Sequence, residues 1–247
     1  MGRRIMATLR TVVAVPTFFL LTLVLAAYVS IVSMVRPHHR HIDSVIHFWS
    51  RLFLSVAPVR FEPADTSHLD PARQYVFVAN HLSNFDIPVL FLAIPHRIRY
   101  MAKKELFKIP LVAGAMRRVG IIPIDRGAGA STYASINQGV AAATRQGYSL
   151  IIFPEGTRSR DGRFQPFKKG AFRIAISNGL DIVPVALDGT WEVWKPDAKV
   201  FFPGHARVII GEPIPVEGLT LRDLDDLRTR AHIAIEKALA ELGVETA

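Results

Sequence analysis

The stretch YVFVANHLSNFD, Tyr75 to Asp86, decides how this chain is read: an apolar run stops at Asn80-His81, and a carboxylate follows the histidine five positions later. Tyr75, Val76, Phe77 and Val78 are aromatic or β-branched and favour a strand, while Ser83 with Asp86 three residues on has the pattern of a helix cap. The stretch is therefore read as a buried strand that delivers His81 to the end of a sheet, with a helix beginning just beyond. A histidine at that junction, with a carboxylate near enough to hold one ring nitrogen, has the parts of a general base and its orienter. Both residues also have plainer readings, His81 as a member of a buried polar network and Asp86 as a cap of the helix begun at Ser83. Residues five apart are offset by about 140° on a regular helix. A contact between His81 and Asp86 thus requires the pair to straddle the loop and the helix start.

Outward from this stretch, strands and helices alternate. Candidate strands are 75–79, 98–102, 120–124, 149–153, 182–187 and 206–210, and candidate helices are 84–93, 111–118, 131–146, 169–178 and 220–242. In the last helix Thr220 and Asp223 form a capping pair, Leu221, Leu224, Leu227, Ala231, Ile235, Leu239 and Leu242 make one stripe, and Gly243 ends it. Such alternation predicts an α/β domain around a mixed, largely parallel sheet flanked by helices. The polar stretch Glu62 to Arg73, with Pro63, Pro71 and the turn residues Asp65-Thr66-Ser67, leads into it. The expected division is an N-terminal membrane-binding helical segment over 1–60 and a catalytic domain over 61–247.

The charge balance is +9, from 30 basic and 21 acidic residues. Residues 1–60 hold seven arginines, no lysine and a single acid, Asp43, for a net +6. The basic excess therefore flanks the most apolar part of the chain, which points to an anionic membrane surface and away from a nucleic-acid partner. The chain has no cysteine. This excludes a disulfide framework, a thiolate metal site and a cysteine nucleophile.

Thr11 to Val35 carries no charge, and at about 1.5 Å per helical residue it exceeds the roughly 30 Å of a bilayer's hydrocarbon core. It is much longer than the ~7–15 apolar residues of a signal peptide, and no small-x-small cleavage site follows. Met6 stands where a myristoylation signal needs serine or threonine. Arg3, Arg4 and Arg10 precede the run and Arg36 and Arg40 follow it, so the charge rule assigns no orientation. The next segment, His41 to Pro58, spaces Ile42, Val45, Ile46, Trp49, Leu52, Phe53 and Val56 at helical intervals, with Asp43, His47, Ser50 and Arg51 interspersed. That helix either lies in the headgroup region, as the return arm of a re-entrant pair, or packs on the globular domain.

Three further clusters lie where predicted strands end, the usual place for ligands in open α/β sheets. The first runs from Gly120 to Asp125-Arg126, followed by Gly127 and Gly129. The second is Ile151 to Ser159, in which the strand breaks at Pro154 and Gly156 permits a sharp turn. The third is the apolar Ile182 to Leu187. Arg126 and Arg158 could converge on one phosphate, since guanidinium groups match its oxygens two at a time. Lys103, Lys104, Lys168 and Lys169 are further candidates. The plainer alternatives are a surface ion pair at Asp125-Arg126 and a solvated turn over Arg158–Asp161.

At this point the residues carry a family resemblance. His81-Leu82-Ser83-Asn84-Phe85-Asp86 resembles the His-x-x-x-x-Asp motif of the glycerolipid acyltransferases, the superfamily of lysophosphatidic acid and glycerol-3-phosphate acyltransferases. The strand from Gly120 to Asp125-Arg126, then Phe153-Pro154-Glu155-Gly156-Thr157-Arg158-Ser159, then Val183-Pro184, resemble the family's remaining blocks, in order, over roughly residues 75 to 190. Pro123 departs from the pattern, where the family often has a larger apolar side chain.

The resemblance implies a glycerol-3-phosphate acyltransferase-like fold and direct acyl transfer. His81 takes the proton of an acceptor hydroxyl that attacks an acyl thioester, and Asp86 fixes the imidazole tautomer. It further implies that Gly120, Arg126, Glu155, Gly156, Thr157 and Arg158 belong to the acceptor pocket, with the arginines on its phosphate, that Lys103 is a further phosphate contact and that Pro184 lies by the site wall. No metal or organic cofactor is expected. The implied co-substrate is acyl-CoA or acyl carrier protein, and the implied acceptor is 1-acyl-sn-glycerol-3-phosphate (lysophosphatidic acid) within the lipid of the cytoplasmic face of the inner or cell membrane. The absence of cysteine and of a Gly-x-Ser-x-Gly elbow agrees with a route that has no acyl-enzyme. Oxyanion donors are expected among the backbone amides of Ser83 to Phe85. The alternatives are another acceptor (glycerol-3-phosphate or a lysolipid with a different headgroup), a lipid-binding protein without turnover, and a membrane-anchored serine hydrolase.

Overall fold

In the computed structural model, which describes residues 2–36, 39–124 and 131–245, seven strands form one sheet. They are β1 (Val59–Phe61), β2 (Val76–Ala79), β3 (Ile98–Lys103), β4 (Ile122–Ile124), β5 (Ser149–Ile152), β6 (Ile182–Asp188) and β7 (Gly204–Ile210), in the order β1-β7-β6-β2-β5-β3-β4. All neighbours are parallel except β6 and β7, which run antiparallel. The sheet is thus mixed and largely parallel, as the alternation implies. The opening stretch supplies its middle strand, and β2 lies between β6 and β5 with Val76, Phe77, Val78 and Ala79 all buried. A strand covered on both faces reads as a continuous apolar run because neither set of side chains meets water.

The two faces divide by residue parity. Phe77, Ala79, Ile151, Val183 and Val185 point into one core, with Val89, Leu90 and Phe91 of α3 (Asp86–Ala93). Val76, Val78, Leu150, Ile152, Ile182 and Ala186 point into the other. Helices α5 (Ser131–Arg145), α6 (Gly170–Asn178) and α8 (Leu224–Glu241) cover that second face. Two further helices, α4 (Val112–Arg118) and the short α7 (Thr190–Val193), follow β3 and β6. All six expected strands are found, with ends shifted by up to two residues. The three-residue β1 carries too short a pattern to be read.

The last helix differs from expectation at its start. Asp223 accepts hydrogen bonds from both the amide and the hydroxyl of Thr220, each at 2.8 Å. Its carboxylate therefore closes a turn behind itself, the helix begins at Leu224, and Leu221 is exposed rather than part of the buried stripe.

The N-terminal segment forms α1 (Gly2–Val35) and α2 (Arg40–Val56). Helix α1 is long and apolar enough to cross a membrane, and Val12, Phe19, Leu20, Val24 and Ile31 are exposed along it. Of the two readings of α2, the structure shows packing on the globular domain. Phe53 joins Phe18 of α1, ring centroids 4.6 Å apart, to Phe85 at the entrance to α3, 4.7 Å away. Asp43, expected on a polar face, instead bonds Arg97 at 2.6 Å and the buried Arg99 at 2.7 Å. The Arg99 guanidinium also lies 3.8 Å from the centre of the Tyr148 ring.

Candidate active site

Beyond β2 the chain leaves the sheet at Asn80, whose buried side chain donates to the carbonyl of Leu187 at 2.8 Å and accepts from its amide at 2.7 Å. The amide side chain thereby continues the β2–β6 pairing by one step and fixes the direction in which His81 departs. The Nδ1 of His81 lies 2.7 Å from Oδ2 of Asp86, the first residue of α3. That same oxygen accepts the amides of Leu82 at 2.7 Å and Ser83 at 2.9 Å, and Oδ1 accepts the hydroxyl of Thr190. A carboxylate oxygen that already accepts two N–H bonds acts as acceptor for the third, so Nδ1 carries the proton and Nε2 the lone pair. Nε2 has no hydrogen-bond partner among the described residues. Asp86, fully buried, therefore both holds the imidazole and ties down the turn before α3. Only half of the expected Ser83–Asp86 cap forms: Asp86 accepts the Ser83 amide, whereas the Ser83 hydroxyl donates to the carbonyl of Trp194 at 2.8 Å.

The loop after β5 closes over the same place. Phe153 stacks on the His81 ring, centroids 3.9 Å apart and planes within 13°. Glu155 Oε1 accepts the His81 amide at 3.2 Å, and the Ser159 amide donates to the His81 carbonyl at 2.8 Å. Glu155 Oε2 is buried without a partner among the described residues. Burial pushes the Glu155 carboxyl up to about 8, against the lowering effect of the His81 amide, and the charge of Asp86 adds to the rise. Gly156 sits at φ +78°, and a Cβ there would meet the Lys168 amine at 2.8 Å. Arg158 is half-buried and forms no ion pair or hydrogen bond among the described residues, while Thr157 is exposed. The turn after it is held by Asp161 bonding Ser159 and the Arg163 amide, so Arg158 is not consumed there.

His81, Asp86, Glu155, Gly156 and Arg158 thus come from the ends of two adjacent strands. Pro184 is buried on β6 beside Val78, facing Gly211. Lys103 is exposed at the end of β3. Gly120 is not brought to the site: it precedes β4 at the opposite end of the sheet, at φ +86° against the Arg99 side chain. Arg126, with Asp125, Gly127 and Gly129, lies outside the described residues. Lys169 pairs with Asp225 at 2.7 Å. Thr190 was not singled out in the sequence, although it follows a strand end as the other site residues do. Among the described residues no group of three or more His, Asp or Glu side chains gathers as a metal site.

The arrangement offers a tautomer-fixed imidazole with an open nitrogen, a buried acid whose carboxyl is pushed up to about 8, and a guanidinium with no ion pair among the described residues, all following neighbouring strand ends. The acyltransferase family pattern matches residues 60–188, which contain all of these groups. The chain belongs to the acyltransferase family. Relatives of this acyltransferase include 1-acyl-sn-glycerol-3-phosphate acyltransferase BAT2, chloroplastic, of Brassica napus, 34% identical over 207 residues. That match covers 79% of this chain and 60% of the relative. The 1-acyl-sn-glycerol-3-phosphate acyltransferase beta of Homo sapiens is 32% identical over 212 residues, 85% of this chain and 76% of the relative. The fold is shared with the 1-acyl-sn-glycerophosphate (LPA) acyltransferase, PlsC, from Thermotoga maritima, at a TM-score of 0.83 over 99% of each chain and 23% identity.

Proposed function

We propose that this acyltransferase moves a fatty acyl group from acyl-CoA or acyl carrier protein to the free hydroxyl of 1-acyl-sn-glycerol-3-phosphate, forming phosphatidic acid. The observation that carries the reading is His81 held by Asp86 through Nδ1 with Nε2 left open. Nε2 removes the hydroxyl proton as the oxygen attacks the thioester carbonyl, and the collapsing tetrahedral intermediate expels the thiolate, which takes that proton back from His81. Asp86 keeps the tautomer and stabilises the imidazolium. No acyl-enzyme and no metal or organic cofactor enters this route.

Two of the amides expected to receive the oxyanion, those of Asn84 and Phe85, make no hydrogen bond among the described residues, whereas that of Ser83 is taken by Asp86. Asn84 and Phe85 are therefore the assigned donors. Arg158 meets the acceptor phosphate, with Arg126 and Lys103 as companions, Thr157 and Gly156 at its edge and Pro184 behind. Glu155, neutral below a pKa of about 8, places no second negative charge beside that phosphate. The acceptor is a membrane lipid and α1 is the apolar element that brings the enzyme to it, at the cytoplasmic face, where a thioester of CoA or carrier protein is met.

The test offers one acyl-CoA with a panel of lysolipids and glycerol-3-phosphate. Lysophosphatidic acid is expected to give the highest kcat/KM. Preference for glycerol-3-phosphate, or for a lysolipid lacking an exposed phosphate monoester, would reject this acceptor.

A further inference from the structure

Between β3 and β4 the chain exposes large apolar side chains on the globular domain itself. Leu106, Ile109 and Leu111 are 44%, 38% and 45% exposed, within four residues either side of Phe107, which is buried and anchors the segment. A short 3₁₀ helix, Lys104–Lys108, precedes α4 here. Leu111 stands at φ 67° and ψ −53°, and the Val112 amide bonds the Pro110 carbonyl at 2.7 Å across it. This is a γ-turn centred on a leucine, a strained arrangement in which glycine would be relaxed. Folding alone gives no reason to hold an apolar side chain outward at that cost.

The charge around these residues is mostly basic, with Glu105 the one acid between Lys104 and Arg117. Lys104, Lys108 and Arg117 are exposed beside them, and Arg117 lies 5.4 Å from the Phe107 ring. The segment also adjoins the membrane-seeking helix. Arg118 donates to the carbonyl of Ser30 in α1 at 2.9 Å, and Val119 packs with Val29 and Ile42. It therefore lies against the end of α1 where Ile31 and Met34 are exposed.

We propose that Lys104 to Arg117 is a second membrane-contact element, with Leu106, Ile109 and Leu111 entering the headgroup–acyl boundary of an anionic bilayer while Lys104, Lys108 and Arg117 meet lipid phosphates. Apolar tips ringed by basic side chains suit that interface, each charge attracting the anionic surface while the apolar atoms leave water. The segment starts where β3 ends, at the same end of the sheet as His81. Its contact would thus hold the crevice mouth against the lipid, in addition to the anchor in α1.

The inference rests on reading α1 as membrane-embedded, and the experiment separates the two. Since the chain has no cysteine, a single Leu20→Cys, Ile109→Cys or Ile233→Cys substitution in the full chain takes one environment-sensitive fluorophore. Each labelled protein is reconstituted in vesicles of phosphatidylcholine with about 30% phosphatidylglycerol and nitroxide lipids. The probe at position 20 reports α1, and that at 233, on the exposed face of α8, reports water. At position 109 a blue-shifted emission and a loss of about half the signal to nitroxides ~5–10 Å below the headgroups are expected. Emission at 109 no more quenched than at 233, with 20 quenched, would overturn the second contact alone. An unquenched probe at 20 would overturn the membrane reading of α1 and this inference with it.

Discussion

Thr190 is the residue whose loss best separates positioning from folding. Its hydroxyl is one of four donors on the Asp86 carboxylate, and the other three come from the His81 loop. Thr190→Val keeps the shape and removes the donor. The expected result is a kcat about ten-fold lower with KM unchanged, together with a displaced acid limb of the pH–rate profile; an unmoved profile would make the contact structural only. Arg158→Ala should raise KM for lysophosphatidic acid about ten-fold, the worth of a hydrogen bond to a charged group, and leave KM for acyl-CoA unchanged. Glu155 yields a stability prediction with a definite sign. Burial holds its carboxyl up at about 8 in the folded chain, above the ordinary 4.5. Between those values the folded state keeps a proton that the unfolded state has lost. Stability should therefore fall as pH rises, by up to ~1.4 kcal/mol per pH unit, and level off above the folded pKa. Thermal unfolding of Glu155→Gln should lack that slope.

At the scale of elements, the strand ends were legible because burial on both faces leaves an uninterrupted apolar run that stops abruptly at a polar residue. That rule located Asn80-His81, the Phe153 loop and the Pro184 strand. It did not reveal which polar groups would meet: Thr190 and Asp86 are 104 positions apart and touch only because β6 lies beside β2. Gly120 was misplaced for a related reason, since a glycine at the start of a parallel strand sits at the end of the sheet opposite the crevice. Asp43 was hidden too, as an acid on an amphipathic helix reads as solvated until its partners are known. Its bond to the buried Arg99 predicts the cost of losing it. Asp43→Asn should destabilise the fold by about 3–5 kcal/mol, because a guanidinium is left buried and unpaired. The double variant Asp43→Leu, Arg99→Met should recover much of that loss, as read by thermal unfolding of the two proteins side by side.

For the whole molecule, α1, the aromatic contact from Phe18 through Phe53 to Phe85 and the His81 loop form a continuous path from apolar helix to candidate site. Attachment through such a helix is an apolar effect with electrostatic help, so flotation of the full chain with anionic vesicles should persist in about 1 M salt, where the Debye length is only about 3 Å. Release at that salt would mean that the basic residues, not α1, hold the protein to lipid. In the proposed mechanism the chemistry depends on one ring nitrogen. The decisive measurement is the initial rate of acyl transfer from acyl-CoA to lysophosphatidic acid by the native chain and by His81→Ala at equal folded concentration. A rate reduced about 10²–10⁴-fold is expected from loss of the general base, and equal rates would contradict the mechanism.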